Sequence, residues 1–264
     1  MKSETHAAWS EDEVQPHPVE RQFIIWYRAS EGIEMKRSEL NRYIAEADAF
    51  FAKNHFALPP FAQWTPQEWE RQGPEANEIR TQRLGWDVTD FASGDFHKTG
   101  LTVFTLRNGL SADGKPSKVY AEKIMFVRNG QVTPFHYHAK KMEDIIHRGG
   151  KGAGSLVVQL HHSTQNGQLA QTPVFVSCDG VRCRVEAGGT VTLGPGQSVT
   201  LPPFLYHTFY AVDGDALIGE VSSLNDDDTD NFFLDKLPRY PAVVEDEAPT
   251  RLLCTEYRLA PSGA

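Results

Sequence analysis

The chain has 264 residues, which is enough for one domain with additions or for a large and a small domain. It carries 26 Lys and Arg against 35 Asp and Glu, and a net charge of −9 would repel a phosphate backbone. Three cysteines do not suggest a disulfide scaffold, and no apolar run approaches the roughly 18 residues of a membrane span. We therefore predict a cytoplasmic protein that binds a small molecule, with no nucleic acid or membrane partner.

Residues 1–34 form a predicted N-terminal extension. The polar opening segment contains Pro16, Pro18 and scattered acids, a composition typical of little fixed structure. The apolar stretch FIIWY follows at residues 23–27. It favours a packed arm or an edge strand over a dimerisation segment.

Two helices are predicted in residues 35–84. In the first, apolar side chains recur at helical spacing, at Leu40, Tyr43, Ile44, Ala47 and Phe51. Pro59 and Pro60 mark its end because proline does not continue the hydrogen-bond ladder. Thr65 and Glu68 flank a proline at the first helical position, which predicts a capping box. The helix that follows should be short and end near Gly73.

Residues 85–264 read as a β domain. Apolar and polar residues alternate between glycine and asparagine turns, which is typical of antiparallel strands. About ten short strands at regular spacing predict a sandwich or a small barrel. The acidic run Asp226–Asp228 is interpreted as a solvated loop.

The stretch from Gly130 to Gly150 places His136, His138 and Glu143 within eight residues. Imidazole nitrogens and a carboxylate oxygen this close together predict a metal site, with His207 as the candidate for a fourth ligand. Three further histidines exceed the needs of a four-ligand site, and we interpret them as structural or surface residues: His147, His161 and His162.

These spacings resemble the two motifs of the cupin superfamily. Gly130, His136-Tyr137-His138, Glu143 and Gly150 match the first motif at every spacing, and Gly196, Pro202 and His207 are similar to the second. The second motif departs at Phe204, where the family usually has glycine, and at Ala211, where asparagine is common. The resemblance implies a mainly β fold: a cupin (jelly-roll) β-barrel with N-terminal α-helices.

A closer resemblance runs from Met35 to the end of the chain. The phrases LGWDVTDFASGDF, QVTPFHYHAKKMEDIIHRGG and GEVSSLNDDDTDNFF are similar to the D-lyxose isomerase family. That resemblance implies a manganese-dependent sugar isomerase acting on D-lyxose/D-xylulose and D-mannose/D-fructose. Because the segment that resembles the family begins with its own methionine, we also hypothesise that translation starts at Met35.

A metal held by His136, His138, Glu143 and His207 suits aldose–ketose chemistry. It would leave two positions of an octahedron for neighbouring sugar oxygens and would stabilise a metal-bound cis-enediol as a Lewis acid. The ligand set alone does not select the metal: Mn2+ is implied by the family, and Fe2+, Co2+, Ni2+ and Zn2+ are alternatives.

The proton carrier should be a separate group. Strand alternation places Ile218, Glu220 and Ser222 on one face, so Glu220 is the predicted base, the alternative being an exposed strand residue. Lys123, in an otherwise apolar strand, is a second catalytic candidate as an electrophile or a clamp for a hydroxyl group if it points inward, the alternative being a solvated lysine that points outward.

For other polar residues the sequence gives a weaker case for a functional role. Lys140 and Lys141 are candidates to bind substrate oxygens, or else exposed hairpin residues. For Asp230, Arg239 and Glu245 we favour turn capping and surface ion pairs over contact with the sugar.

Two other function classes stay open from the sequence. A cupin dioxygenase would use the same ligands with iron and consume oxygen, and a non-catalytic carbohydrate-binding cupin would need no internal base. A cupin barrel with an apolar N-terminal arm also predicts a homodimer.

Overall fold

The computed structural model describes residues 34–110, 114–150 and 152–260. The predicted arm at residues 23–27 therefore lies outside the described residues. Within the described ranges, no helix has the length and apolar character that crossing a membrane requires.

The N-terminal part forms helices where the sequence predicts them. Three α-helices and two 3-10 turns precede the β domain: α1 Arg37–Lys53, α2 Pro66–Glu70, α3 Asn77–Thr81, and the turns Pro60–Gln63 and Pro74–Ala76. The capping box of α2 forms as expected, because Thr65 Oγ1 accepts the N–H of Glu68 at 3.3 Å and a Glu68 carboxylate oxygen accepts the N–H of Thr65 at 2.8 Å. This helix ends at Glu70, three residues before the predicted Gly73.

Fifteen strands are present in the described part of the chain. They are β1 Glu34–Lys36, β2 Gly85–Thr89, β3 Leu101–Arg107, β4 Ala121–Val127, β5 His136–Tyr137, β6 Glu143–His147, β7 Ser155–His162, β8 Val174–Cys178, β9 Val181–Val185, β10 Thr190–Leu193, β11 Ser198–Leu201, β12 Leu205–Val212, β13 Ala216–Ser222, β14 Phe232–Phe233 and β15 Ala242–Val244.

Most of these strands build two antiparallel sheets. The larger has the order β2-β3-β4-β13-β6-β11-β8-β9 and the smaller the order β10-β7-β12-β5-β14. One apolar core includes side chains from both sheets, such as Val103 and Ile218 from the larger and Leu160 and Phe209 from the smaller. The predicted mainly β fold with N-terminal α-helices is confirmed.

Strand β4 is buried on both faces, and this determines where its lysine points. Met125 and Val127 belong to the core between the sheets, whereas Ile124 and Phe126 belong to a second apolar cluster that includes α1. Because side chains alternate along a strand, Lys123 shares the inner face with Met125. It is only 6% exposed.

The C-terminal segment is tied to the start of α1 by a buried arginine. Strand β1 pairs in parallel with β15. Arg37 is 2% exposed, and its Nη2 lies 2.7 Å from a carboxylate oxygen of Glu245 while also contacting Glu256. Glu245 therefore forms an ion pair, as the sequence favoured, and does not line the pocket described below.

The Arg37–Glu245 pair predicts a pH-dependent stability. Hydrogen bonding from Arg37 lowers the pKa of Glu245 in the folded state. The ion pair therefore makes its full contribution to the free energy of unfolding above the ordinary pKa of glutamate, and this contribution is lost as pH falls through the lowered pKa of the folded state. Glu245→Gln should lower the free energy of unfolding by about 0.5–1 kcal/mol at pH 7, a modest value because this side chain is over half exposed. Urea unfolding at pH 7 and at about pH 3 measures the difference, which should shrink in acid.

Glu70→Gln, on the exposed side of α2, is the matched control and should change little at either pH. An equal loss for Glu245→Gln at both pH values would contradict the ion-pair explanation.

Candidate metal centre and active site

Three histidines converge because β5 and β12 are neighbours. His207 on β12 is the register partner of His136 on β5, and His138 follows β5 directly. The ring centroids of His136 and His207 are 4.2 Å apart, and those of His136 and His138 are 5.3 Å apart. One nitrogen from each of the three rings lies within 4.8 Å of the others. This buried triad can hold a metal ion.

Backbone carbonyls orient the three imidazoles, and burial keeps those of His136 and His138 neutral. Burial, followed by the nearby Lys141 ammonium group, lowers the pKa of His138 to about 3, and burial lowers that of His136 well below its ordinary value. Each Nδ1 faces a backbone carbonyl: His136 that of Pro134 at 2.9 Å, His207 that of Leu205 at 3.0 Å, and His138 that of Asp230. Nδ1 is therefore the donor, and Nε2 keeps its lone pair.

Glu143, which the sequence predicts as a ligand together with the histidines, lies beside the triad. One of its carboxylate oxygens is 3.0 Å from His207 Nε2 and the other is 3.9 Å from His138 Nε2. In the neutral tautomer that donates through Nδ1, His207 Nε2 is an acceptor facing another acceptor, and this buried nitrogen has no hydrogen-bond partner among the described residues. Two acceptors in such proximity fit a shared cation, so the donor set suits a divalent metal.

Phe204 adopts the backbone conformation that glycine would allow. Its φ of +61° is in the left-handed region, and its N–H donates to the carbonyl of His138 at 2.8 Å. Phe204, although it departs from the glycine of the cupin motif, therefore preserves the turn before His207. The cost of such strain is on the order of 1 kcal/mol or more.

Glu220 and Lys123 enter the same pocket from the larger sheet. They are register partners on β13 and β4, and both line the pocket that contains the histidine triad. Lys123 Nζ is 2.6 Å from Asn225 Oδ1 and 3.5 Å from a Glu220 oxygen. Glu220 thus lies on the inward face that strand alternation predicts, and Lys123, whose direction the sequence left open, also points inward.

Lys141 is a buried pocket residue, while Lys140 is exposed. The Lys141 ammonium nitrogen is 2.5 Å from a Glu143 oxygen and 2.8 Å from a Glu220 oxygen. Although burial opposes ionisation of Glu143, Lys141 holds the pKa of Glu143 well below its ordinary value. The sequence does not distinguish the two lysines, because both lie outside a regular strand and side-chain alternation therefore does not predict where they point.

The acidic run is not wholly solvated, which corrects the sequence interpretation of Asp226–Asp228. Asp227 lines the pocket and lies 3.9 Å from Lys123 Nζ and 3.8 Å from Arg239 Nε. Burial opposes its ionisation, but Lys123, Arg239 and Lys141 together hold the pKa of Asp227 well below its ordinary value. Local sequence does not distinguish Asp227 from its two acidic neighbours, so only its charged partners reveal it.

Arg239 is also a pocket residue rather than a surface one. Its Nη2 is 2.5 Å from Asp87 Oδ2 on β2, and its Nη1 is buried without a hydrogen-bond partner in the described ranges. Asn231, which the sequence did not single out, lines the same pocket and has a buried Oδ1 that is likewise unpartnered there. The pocket thus offers one free donor and one free acceptor to a ligand.

The remaining candidates lie outside the pocket lining. Asp230 accepts hydrogen bonds from backbone N–H groups of Ala139, Lys140 and Lys141, which is the turn-capping role the sequence favoured. His147 Nε2 is 2.6 Å from the Gly154 carbonyl oxygen, and His161 Nδ1 is 3.1 Å from that of Ala170.

Comparison with known proteins identifies relatives over most of the chain. A family model described as D-lyxose isomerase matches residues 35–257. The chain is 49% identical over 228 residues to a D-lyxose/D-mannose isomerase of Escherichia coli O157:H7, covering 85% of this chain and 99% of that protein. It is 48% identical over 227 residues to one of Serratia proteamaculans, covering 84% and 98%.

A solved structure shares the fold. The L-ribose isomerase of Acinetobacter sp. DL28, in complex with L-ribose, superposes with a TM-score of 0.53 at 15% sequence identity. The match covers 80% of this chain and 99% of that chain.

Removal of one imidazole should abolish tight metal binding. We expect His207→Asn to weaken Co2+ binding by about 100-fold or more, since the triad loses a nitrogen that side-chain rearrangement does not replace. Titration followed by the visible absorption of Co2+ measures the affinity. His55→Asn, at an exposed residue with positive φ, should bind as the unsubstituted chain does. Equal affinity in both variants would remove His207 from the ligand set.

Proposed function

The chain belongs to the D-lyxose isomerase family and is an aldose–ketose sugar isomerase, and we propose that it interconverts D-lyxose with D-xylulose and D-mannose with D-fructose through a cis-enediol. The observation that carries the proposed mechanism is the Glu220 carboxylate, which lies in one pocket with the histidine triad and is paired with Lys141. Membership of an isomerase family sets aside the dioxygenase and the non-catalytic binding protein. The two sugar pairs are supported by relatives named for D-lyxose and D-mannose.

His136, His138, Glu143 and His207 would hold the metal, for which we propose Mn2+ as the family implies. A divalent cation bound there supplies Lewis acidity toward the oxygens of an open-chain sugar. The chain's own contribution is three imidazoles whose Nδ1 atoms face backbone carbonyls, together with a carboxylate held ionised by Lys141.

Glu220 is the proposed proton carrier. It takes the proton from C2 of the aldose to give the cis-enediolate, the anion of the cis-enediol. The proton of the O2 hydroxyl moves to O1, and Glu220 returns its proton to C1. Glu220 is 6% exposed, so the proton is carried by a group with little access to water. A single carboxylate serves both carbons because they are adjacent.

The two lysines orient this base and bind oxygen. Lys141 Nζ lies 2.8 Å from a Glu220 oxygen, and Lys123 Nζ lies 3.5 Å from the same oxygen. Both ammonium groups line the pocket, so each is also available to donate to a sugar hydroxyl or to developing negative charge on oxygen.

Arg239 and Asn231 are the proposed partners of the remaining hydroxyl groups. The free Arg239 Nη1 is a donor, and the free Asn231 Oδ1 is an acceptor. A hydroxyl group both donates and accepts, so these two atoms match its hydrogen-bonding capacity.

Replacement of the base tests the mechanism directly. Glu220→Gln should lower kcat by about 10²–10⁴-fold with D-lyxose and with D-mannose, because the amide does not accept the proton. Ketose formation in deuterated water, with Co2+ affinity measured on the same protein, separates loss of the base from loss of the metal.

Glu122→Gln is the matched control for Glu220→Gln. Glu122 lies next to Lys123 on β4 and pairs with Arg107 at 2.7 Å, outside the pocket lining. The Glu122→Gln variant should retain the activity of the unsubstituted chain. Unchanged turnover in Glu220→Gln would remove Glu220 from the catalytic role.

Arg239→Lys tests substrate recognition. Lysine keeps the positive charge beside Asp87 and Asp227 but loses the free guanidinium donor, so KM should rise about tenfold with a smaller change in kcat. Steady-state kinetics with D-lyxose measures the two constants. Arg107→Lys, at an exposed residue on β3, should leave KM unchanged. A fall in kcat alone for Arg239→Lys would argue against a binding role.

A further inference from the structure

We propose that Asp230 is a positioning residue that sets both the metal affinity of His138 and the location of Lys141. Asp230 is 2% exposed and lies outside the pocket lining, so it acts through other residues. The kinetic part of this proposal rests on the proposed isomerase function, whereas the metal-affinity part does not.

The Asp230 carboxylate is bound by three successive backbone amides. One oxygen accepts the N–H of Ala139 at 2.8 Å and that of Lys140 at 3.0 Å, and the other accepts the N–H of Lys141 at 2.9 Å. Consecutive amides that point inward form a concave anion site, and here the chain supplies its own anion. The backbone that follows His138, up to Lys141, is therefore held by a single side chain.

The backbone of Asp230 binds the metal-site histidine itself. The Asp230 carbonyl oxygen accepts the hydrogen on His138 Nδ1, which keeps the Nε2 lone pair directed to the triad. One residue thus contacts a candidate metal ligand through its carbonyl and the following turn through its carboxylate. A loss of the carboxylate should loosen both contacts, because the carboxylate holds the segment against residues 139–141.

The same segment carries other pocket groups. Asp230 directly precedes Asn231, and β14 follows and pairs with β5, with Phe233 opposite His136. Asn231 and Phe233 both line the pocket. The three amide contacts therefore place the base-orienting Lys141 and the sugar-facing Asn231 in fixed relation to the metal site.

Asp226 provides a matched control within the same turn. Its carboxylate accepts the N–H groups of Asp228 and Thr229 at 3.1 and 3.0 Å, so it also caps the backbone. Its only other side-chain contact in the described structure is with the Thr229 hydroxyl, and none reaches residues 136–143. Asp226→Ala loosens the turn without removing the link to the metal-binding segment.

The test compares Asp230→Ala, Asp230→Asn and Asp226→Ala by Co2+ titration, by the position of the Co2+ visible bands and by kinetics at saturating metal. Asp230→Ala should weaken Co2+ binding about 10–100-fold and shift the bands, since a group that orients a metal ligand typically has an effect of that size. Asp230→Asn retains one acceptor oxygen and should recover part of the affinity. Asp226→Ala should change affinity less than about threefold.

At saturating Co2+, Asp230→Ala should still show a kcat about tenfold below that of the unsubstituted chain, with KM for D-lyxose changed less, because Lys141 no longer has its amide fixed. Thermal unfolding of all variants measures any loss of stability, so that it can be separated from a loss of Co2+ affinity. The proposal is overturned if Asp230→Ala loses only stability, or if Asp226→Ala weakens Co2+ binding equally. An unsubstituted chain that binds Co2+ but does not isomerise would defeat the proposed function and leave the affinity comparison intact.

Discussion

The buried Lys141 ammonium group is the interaction on which the rest of the site depends. It lies 2.5 Å from Glu143 and 2.8 Å from Glu220, so one cation joins the candidate metal ligand to the candidate base. Two buried carboxylates in one low-dielectric pocket would otherwise repel each other. Removing a buried partner generally costs more than the pair contributes in net stability, so this contact constrains both acids.

The charges around Lys141 form a larger set with a small negative excess. The cations are Lys123, Lys141 and Arg239, and the carboxylates are Asp87, Glu143, Glu220 and Asp227. Counted by formal charge, these seven side chains carry one more negative than positive charge. A divalent cation in the triad would therefore enter a site that already favours positive charge, while the lysines limit how strongly the acids attract it.

The two sheets supply different parts of the chemistry. The smaller sheet carries His136 and His207 on adjacent strands, and the larger carries Glu143, Glu220 and Lys123. The candidate metal ligands thus come from both sheets, whereas the candidate base comes from the larger one, and the spacing of these groups depends on how the sheets pack. The segment from Asn225 to Phe233 links the layers, because it contacts Lys123 in one sheet and pairs with β5 in the other.

Sequence reasoning succeeded where a residue lies in a regular element. Ligand spacing singled out His136, His138 and Glu143 as candidates, and period-two alternation directed Glu220 inward, because a strand gives each side chain a defined side. It left the role of Lys141 open and did not single out Asp227 or Asn231, because all three lie outside regular strands and helices. An acidic run also appears uniformly solvated until the lysine and arginine that approach one member are known.

By itself, the sequence determined the β architecture with N-terminal helices and the candidate ligand set, since these follow from local periodicity and motif spacing. It indicated the family through a resemblance that runs from Met35 to the end of the chain. Only the tertiary structure decided which charges are buried together. Lys141 meets Glu220 across 79 residues and Arg239 meets Asp87 across 152, and the pairing of such distant groups is set by sheet order and register. The proposed base could be named from the sequence, but the lysine that holds it became visible only when the two sheets were in place.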